Sequence, residues 1–421
     1  MSRLVLVNAN ILDGRNAARK GVVVVSDGRF EAVGSAAPPP REGDRVVDLA
    51  GRTIMPGMML GHYHASYKDV GLVRGPFGLD DTAALQAVRA AANFQLALDY
   101  GFTGVIGAGA PYRIDPSLKR AIAEGTMPGP RIMACGRDVS TTGHCNDLSY
   151  PSHWHIGATD GIAIVDGPEG FRRAIREEIK DGVEIIKIFA TGGHGVPAPA
   201  HQWQVTREEL EMAVRTAEER GAKIRAHIAN RDAILCAIEV GVHIIDHGDG
   251  FDDACVEAAA KRGTFLAPSL HFPKAVMRNA PGTPYAEGMR DDFAAMAAIL
   301  ARADAAGVKI LLGDDYGAFG FSHGTYAEEL ALYVEDAGVS PLTVLRWATV
   351  NGADAMGLAG HVGEIAVGMI ADFLVVDGDP SRDVRILQER DNLLAIYQAG
   401  QPYKDQLDTV GARSARPLVS A

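Results

Sequence analysis

"VEIIKIFA" at 183–190, "KIRAHIA" at 223–229 and "VHIIDHG" at 242–248 each set a few polar groups inside an apolar, β-branched run. A strand with one wet face alternates apolar and polar residues, so near-continuous runs of this kind belong to strands covered on both faces, as parallel strands are. Five more runs share the pattern: "TIMPGMML" (53–60), "FTGVIGAG" (102–109), "RIMACG" (131–136), "TFLAPSL" (264–270) and "KILLGDD" (309–315). Between them lie stretches of helical periodicity such as "TREELEMAVRTAEERG" (206–221). Strand–helix alternation implies right-handed parallel crossovers, and eight such strands predict an α/β fold built as a (β/α)8 TIM-type barrel. A doubly wound open sheet is the alternative, but no Gly-rich phosphate loop follows the first strand.

Both ends of the chain read differently. "LVLVNANILDG" (4–14) and "GVVVVSDGRFEAVG" (21–34) alternate between Gly turns, and "GEIAVGMIADFLVVDGD" (363–379) and "LLAIYQAGQPYK" (393–404) repeat that style. The prediction is a small composite β-sandwich domain from residues 1–55 and 361–421, beside a barrel over 56–360.

Bulk properties narrow the function. The 421 residues are 47% hydrophobic, enough for a large core. With 41 basic and 53 acidic residues the net charge is -12, and no Lys/Arg run appears, so neither nucleic acid nor an anionic membrane is an expected partner. No apolar run reaches the length that spans a bilayer, and the apolar start "MSRLVLVNANILDG" is broken by Asn and Asp; a cytoplasmic location is expected. Cys135, Cys145, Cys236 and Cys255 are scattered without CxxC spacing and read as buried thiols in a reducing compartment.

Chemistry in such barrels sits at the C-terminal ends of the strands. There this sequence places His62 and His64, Lys187, His227, His247, and Asp314 or Asp315. Two histidines at i and i+2 of a strand point the same way and can aim at one metal ion. Each residue also has a purely structural reading: a His-x-His facing solvent, a partly buried ion-pairing lysine, hydrogen-bonded core histidines, helix-capping aspartates. Jointly these fit less well, because an unpaired lysine in an apolar strand costs several kcal/mol unless its charge is neutralised or matched.

As a set, "GHYHAS" (61–66), "IIKIFATGG" (185–193), "AHIAN" (226–230), "IDHGD" (245–249), "KILLGDDYGA" (309–318) and the returning "GEIAVGMIADFLVVDGDP" (363–380) resemble the amidohydrolase superfamily over nearly the whole length. The resemblance is to the branch similar to imidazolonepropionase, prolidase-like carboxypeptidases and related amide hydrolases. It implies two divalent metal ions, usually Zn2+, bridged by hydroxide and by the carbamate that CO2 forms on Lys187. His62 and His64 would hold one ion with the strand 8 aspartate, and His227 and His247 the other. A carbamate replaces a positive charge with an anionic bidentate ligand, which suits hard divalent cations. The family's Gly-Thr-Asp-like triplet matches Gly313-Asp314-Asp315, which makes Asp315 the ligand. In the implied reaction Asp315 takes a proton from the attacking water and returns it to the leaving nitrogen. His144 in "TTGHCND" (141–147) matches a Gly-His element of the branch and would steady the oxyanion; His194, just past Lys187, would touch substrate. A homo-oligomer is expected.

Two positions depart from the family. Leu60 stands where an Asp usually precedes the first metal histidine by two residues, which predicts the loss of a contact that orients a ligand. Ala229 stands where prolidase-like carboxypeptidases tend to have a Tyr that holds the substrate carboxylate.

For the substrate, Tyr150 and Trp154 follow the third strand, Phe272 the seventh, and Tyr316, Phe319 and Phe321 the eighth. They line a pocket or pack the loops against one another. The resulting expectation is a small-molecule amide, carbamate or urea-like bond with an apolar or aromatic flanking group. Ring-opening of a cyclic amide and prolidase-like dipeptide cleavage are the alternatives. A superfamily deaminase would carry His-x-x-Glu after strand 5, but this chain reads His227-Ile228-Ala229-Asn230, and Asn is no acid. A non-catalytic scaffold fits poorly with six ligands present. His153 and His155 in "SHWH" (152–155) follow no strand and read as loop.

Overall fold

Residues 3–70, 81–144, 147, 161–196, 198–318 and 320–409 are described by a computed structural model of the chain. Cys145, Tyr150, His153, Trp154, His155 and Phe319 lie outside them. Each of the eight apolar runs contains a strand. These are Met58–Tyr63, Phe102–Gly107, Arg131–Met133, Ile185–Phe189, Lys223–Ile228, Ile244–His247, Phe265–Ala267 and Lys309–Ile310. The last five pair in parallel, each with the next. The first three form a separate three-stranded sheet. Isolated parallel bridges join Cys135 to Ile185 and His62 to Gly313. The fold is therefore α/β with a parallel sheet.

Three features differ from expectation. The run at 53–60 is two strands: Thr53–Pro56 pairs with Phe373–Val376, and Met58–Tyr63 begins only after Gly57. Pro56 has no N–H to continue a ladder, and Gly57 lies so close to Thr103 that a Cβ would sit 2.1 Å from Thr103 Oγ1. Secondly, Asp138–Ser140 and Ile162–Ile164 add two short strands that extend the parallel sheet to seven, Val139 pairing with Ile188. Three-residue strands with a buried Asp and Ser give no apolar run to read. Thirdly, the described strands of the two chain ends bond into one eight-stranded sheet rather than two facing ones.

The chain divides into two compact units, Met1–Met59 with Ala97–Gly104 and Ser340–Ala421, and Leu60–Leu96 with Val105–Val339. In the first, alternation along Leu4–Ile11 puts Leu6 and Ile11 into a core with Val23, Ile54, Phe373 and Leu394. Asn8 at φ 52 forms a bulge there, a conformation that Asn tolerates. In the second unit the helices start where the sequence supplies caps. Thr206 and Glu209 form a capping box, and Asn230, Asp252 and Thr283 each accept backbone N–H groups at their helix starts. Such caps contribute about 1 kcal/mol each. Among the described residues no helix is long and apolar enough to cross a membrane, and Cys135, Cys236 and Cys255 are free and buried.

Candidate metal centre

His62, at the end of its strand, and His64, just past it, reach the same point. His62 Nε2 lies 2.9 Å from Asp315 Oδ1, and His64 Nε2 lies 3.2 Å from that oxygen and 3.2 Å from His62 Nε2. The His247 ring, on the strand beside that of His227, stands 5.1 Å from the ring of His62 and 4.7 Å from that of His227. Atoms of His62, His247 and Asp315 fall within 4.8 Å of one another, a group that could hold a metal ion. Imidazole nitrogens with a carboxylate suit zinc and similar divalent ions.

The protonation states fit that use, since ligands must be neutral imidazoles and ionised carboxylates. Burial pushes His64 down to about 4 and holds His227 and His247 well below the ordinary histidine value. Burial raises the Asp315 carboxyl, but the hydrogen bonds of His62 and His64 with the electrostatic pull of His62 and His247 outweigh it and hold the group well below the carboxylate range. Among the described residues His247 Nδ1 is buried without a partner, and a polar atom so placed costs about 1–3 kcal/mol unless something binds it. His227 Nε2 faces Gly193 O at 3.1 Å, so Nδ1 is the nitrogen that could reach an ion. His247 at φ 65 and His194 at φ 42 carry left-handed backbone, a strain that clusters at functional sites. Gly313, at φ 137, lets its strand end touch the first: a Cβ there would sit 2.4 Å from His62 N.

Beneath these ligands lies a buried charge cluster. Asp246 Oδ2 accepts from Lys187 Nζ at 2.7 Å and from Arg225 Nε at 3.0 Å, while Oδ1 accepts from Arg225 Nη2 at 2.5 Å and lies 3.1 Å from His62 Nδ1. Arg225 Nη1 donates to the carbonyls of Gly61 and Gly107. Burial raises the Asp246 carboxyl, but Arg225 and Lys187 overrule it and hold the group well below the usual range. Lys187 thus has a matching anion inside its apolar strand, and Asp246, from another strand, meets His62 Nδ1. Arg225 and Asp246 escaped the sequence reading, although a charge inside each of two neighbouring apolar runs was the available signal.

The amidohydrolase family, taken as a sequence profile, matches residues 53–403. The chain belongs to that family. Curated relatives of this amidohydrolase include ochratoxinase from Aspergillus niger, 27% identical over 417 residues with 92% of this chain and 83% of the relative covered. Imidazolonepropionase from Nocardia farcinica is 26% identical over 377 residues, covering 85% and 86%. Among solved structures, a prolidase complexed with N-methylphosphonate-L-proline has a TM-score of 0.85 at 30% identity, covering 96% of this chain and 100% of that one. Homologues in this family are hydrolases and generally metal-dependent.

Other residues of the amidohydrolase fall into place around the centre. Asp314 points elsewhere, accepting the N–H groups of His271 at 2.7 Å and Phe272 at 3.0 Å, and burial with nearby Glu329 pushes it up. His144 is buried, its Nδ1 lies 3.1 Å from Ser140 Oγ, its Nε2 has no partner among the described residues, and burial pushes it down to about 4. His194 stacks on His247 at 3.9 Å and its Nδ1 meets Asp249 Oδ1 at 2.7 Å. Phe272 lies 5.0 Å from the His194 ring. Tyr316 instead turns its hydroxyl to Glu329 and packs edge-on to Phe321 and Tyr326. Asp138, unforeseen, is buried with an unpartnered Oδ1 and is pushed up to about 7 by burial. Asn230 accepts from Asp232 N and Ala233 N, so the position where a deaminase would carry Glu serves as a helix cap.

Proposed function

We propose that this amidohydrolase cleaves an amide-type C–N bond, in an amide, carbamate or urea-like small molecule with an apolar flanking group, at a centre of two divalent ions. The observation that carries the reading is the meeting of His62, His64 and Asp315 within 3.2 Å beside His247. The bridges at Cys135–Ile185 and His62–Gly313 favour a closed (β/α)8 barrel that presents these residues on one rim. His62, His64 and Asp315 would hold one ion, and His227, His247 and a carbamylated Lys187 the other, with zinc the best match to the donors. Arg225 makes carbamylation feasible, because it keeps Asp246 paired when Lys187 no longer carries its positive charge.

Ions bound there would acidify a water and polarise the scissile carbonyl. Asp315 is ionised at neutral pH and takes the water's proton, then returns it to the leaving nitrogen. His144 donates from Nε2 to the carbonyl oxygen as charge develops, a role whose loss costs about 10²- to 10³-fold in kcat. His194 and Phe272 touch the substrate beside His247. Asn230, engaged as a cap, speaks against deamination, and the likeness to imidazolonepropionase keeps ring-opening as the second reading. The test is metal-reconstituted protein assayed on N-acyl amino acids, aryl amides, carbamates and cyclic imides. Turnover confined to the cyclic imides would establish the second reading, and no turnover with both ions bound would refute the first.

A further inference from the structure

A cavity of about 350 Å³, at the small end for ligand sites, opens beside the centre. His194, which stacks on His247, and Ala229, two residues past His227, form its inner wall. Its outer wall is the helix Pro284–Ala305, where Pro284, Gly288 and Asp292 recur every fourth residue along one face. A helix-interior glycine costs about 1 kcal/mol against alanine, and what Gly288 provides is space: a Cβ there would meet no atom within 4 Å. Val196, Ala198 and Met289 add apolar surface to the lining, which also holds Asp292.

The lining holds two carboxylates and His194, which burial pulls down but Asp249 holds above the ordinary histidine value. The Asp249 carboxylate is engaged by His194 Nδ1, but Asp292 has no hydrogen bond or ion pair among the described residues, and no described Lys or Arg lines the cavity. Burial and the nearby Asp249 push Asp292 up to about 6, a penalty that a cation would relieve. A second sign of a ligand is His194 Nε2, buried on this wall without a partner.

We propose that this cavity receives the substrate's flanking group and selects an aliphatic chain that ends in a cationic nitrogen, ammonium or guanidinium, bound by Asp292. The assignment rests on the hydrolase reading above for the neighbouring site and narrows its apolar flank to a cation-tipped one. An anionic flank would face both Asp249 and Asp292 and is excluded.

The test uses N-acetyl-lysinamide, N-acetyl-norleucinamide, N-acetyl-glycinamide and the glutamyl analogue, each with an amide bond on either side of the varied residue. Equilibrium binding is measured on Asp315→Asn protein, where turnover is slowed, and kcat/KM on the metal-loaded wild type. The lysyl probe should bind about tenfold tighter than the near-isosteric norleucyl one, the glutamyl probe weakest, and Asp292→Asn should erase the lysyl advantage. Gly288→Leu should weaken lysyl and norleucyl binding far more than glycyl binding, with no loss of melting temperature. Norleucyl binding as tight as lysyl, or a lysyl advantage that survives Asp292→Asn, overturns the inference. Lysyl-selective binding with no hydrolysis of any amide would sink the hydrolase reading while upholding the cavity assignment; hydrolysis with the norleucyl probe preferred would do the reverse.

Discussion

Asp246→Asn is expected to destabilise the metal-free protein by about 3–5 kcal/mol, the loss seen when one partner of a buried ion pair is removed. Asp246, Lys187 and Arg225 are all essentially without solvent contact, so the two cations left behind find no water. At 2.7 Å, Lys187 alone gains roughly 6 kcal/mol from the carboxylate at an effective dielectric near 20, and Arg225 adds two more contacts. The asparagine keeps shape and one acceptor, but its amide group turns a donor toward a cation. Denaturant unfolding at neutral pH measures the loss, and Lys187→Met added to the variant should recover at least about 1 kcal/mol by removing a stranded ammonium. The pH dependence has a definite sign. Because the folded carboxyl titrates well below its ordinary value, its contribution is complete above about pH 4 and is lost only as pH falls through the folded value. The gap between wild type and variant should therefore stay constant from mildly acidic to mildly basic pH and close in strong acid. A loss under about 1 kcal/mol, as for an exposed pair, or strict additivity of the two substitutions would refute the reasoning.

Elemental analysis should find about two divalent ions per chain in the wild type and at least one fewer in Lys187→Ala; full metal content and activity in the variant would end the binuclear reading. Asp315→Asn should lower kcat by about 10²- to 10⁴-fold with KM little changed, whereas Asp314→Asn, whose carboxylate caps backbone N–H groups, should act on stability. The reverse pattern would overturn the assignment of Asp315. Asp138, pushed up to about 7, keeps a proton in the fold that the unfolded chain gives up near pH 4, so stability falls as pH rises between those values. In metal-free protein the melting temperature of Asp138→Asn should gain on wild type between pH 5 and pH 8, and a flat difference would contradict the burial argument.

The meeting of His62, His247 and Asp315 was legible because each stands at the end of an apolar run, and apolar runs are what local patterning reports best. What escaped was pairing across the sheet. Lys187 and Asp246 are 59 residues apart, and no local pattern says that a carboxylate on another strand will reach 2.7 Å from the lysine. The Asp138–Ser140 strand was too short and too polar to stand out. Tyr316 looked like a pocket wall because it follows the eighth strand, yet its direction is set by Glu329, thirteen residues on. Gly288 gives no signal in the sequence and takes its meaning from the cavity in front of its helix face.

The cluster of Lys187, Arg225, Asp246 and Asp315 also sets an electrical starting condition, since the formal charges of two cations and two carboxylates cancel. With His64, His227 and His247 held below the ordinary histidine value, the chain offers arriving ions a socket that is close to balanced. A divalent ion therefore enters with its full charge uncompensated, and loading is coupled to the uptake of an anion or the release of a proton. Asp138, poised near neutrality, is a carboxyl within the site that can release one. Metal affinity should then climb with pH more steeply than the histidines alone would dictate.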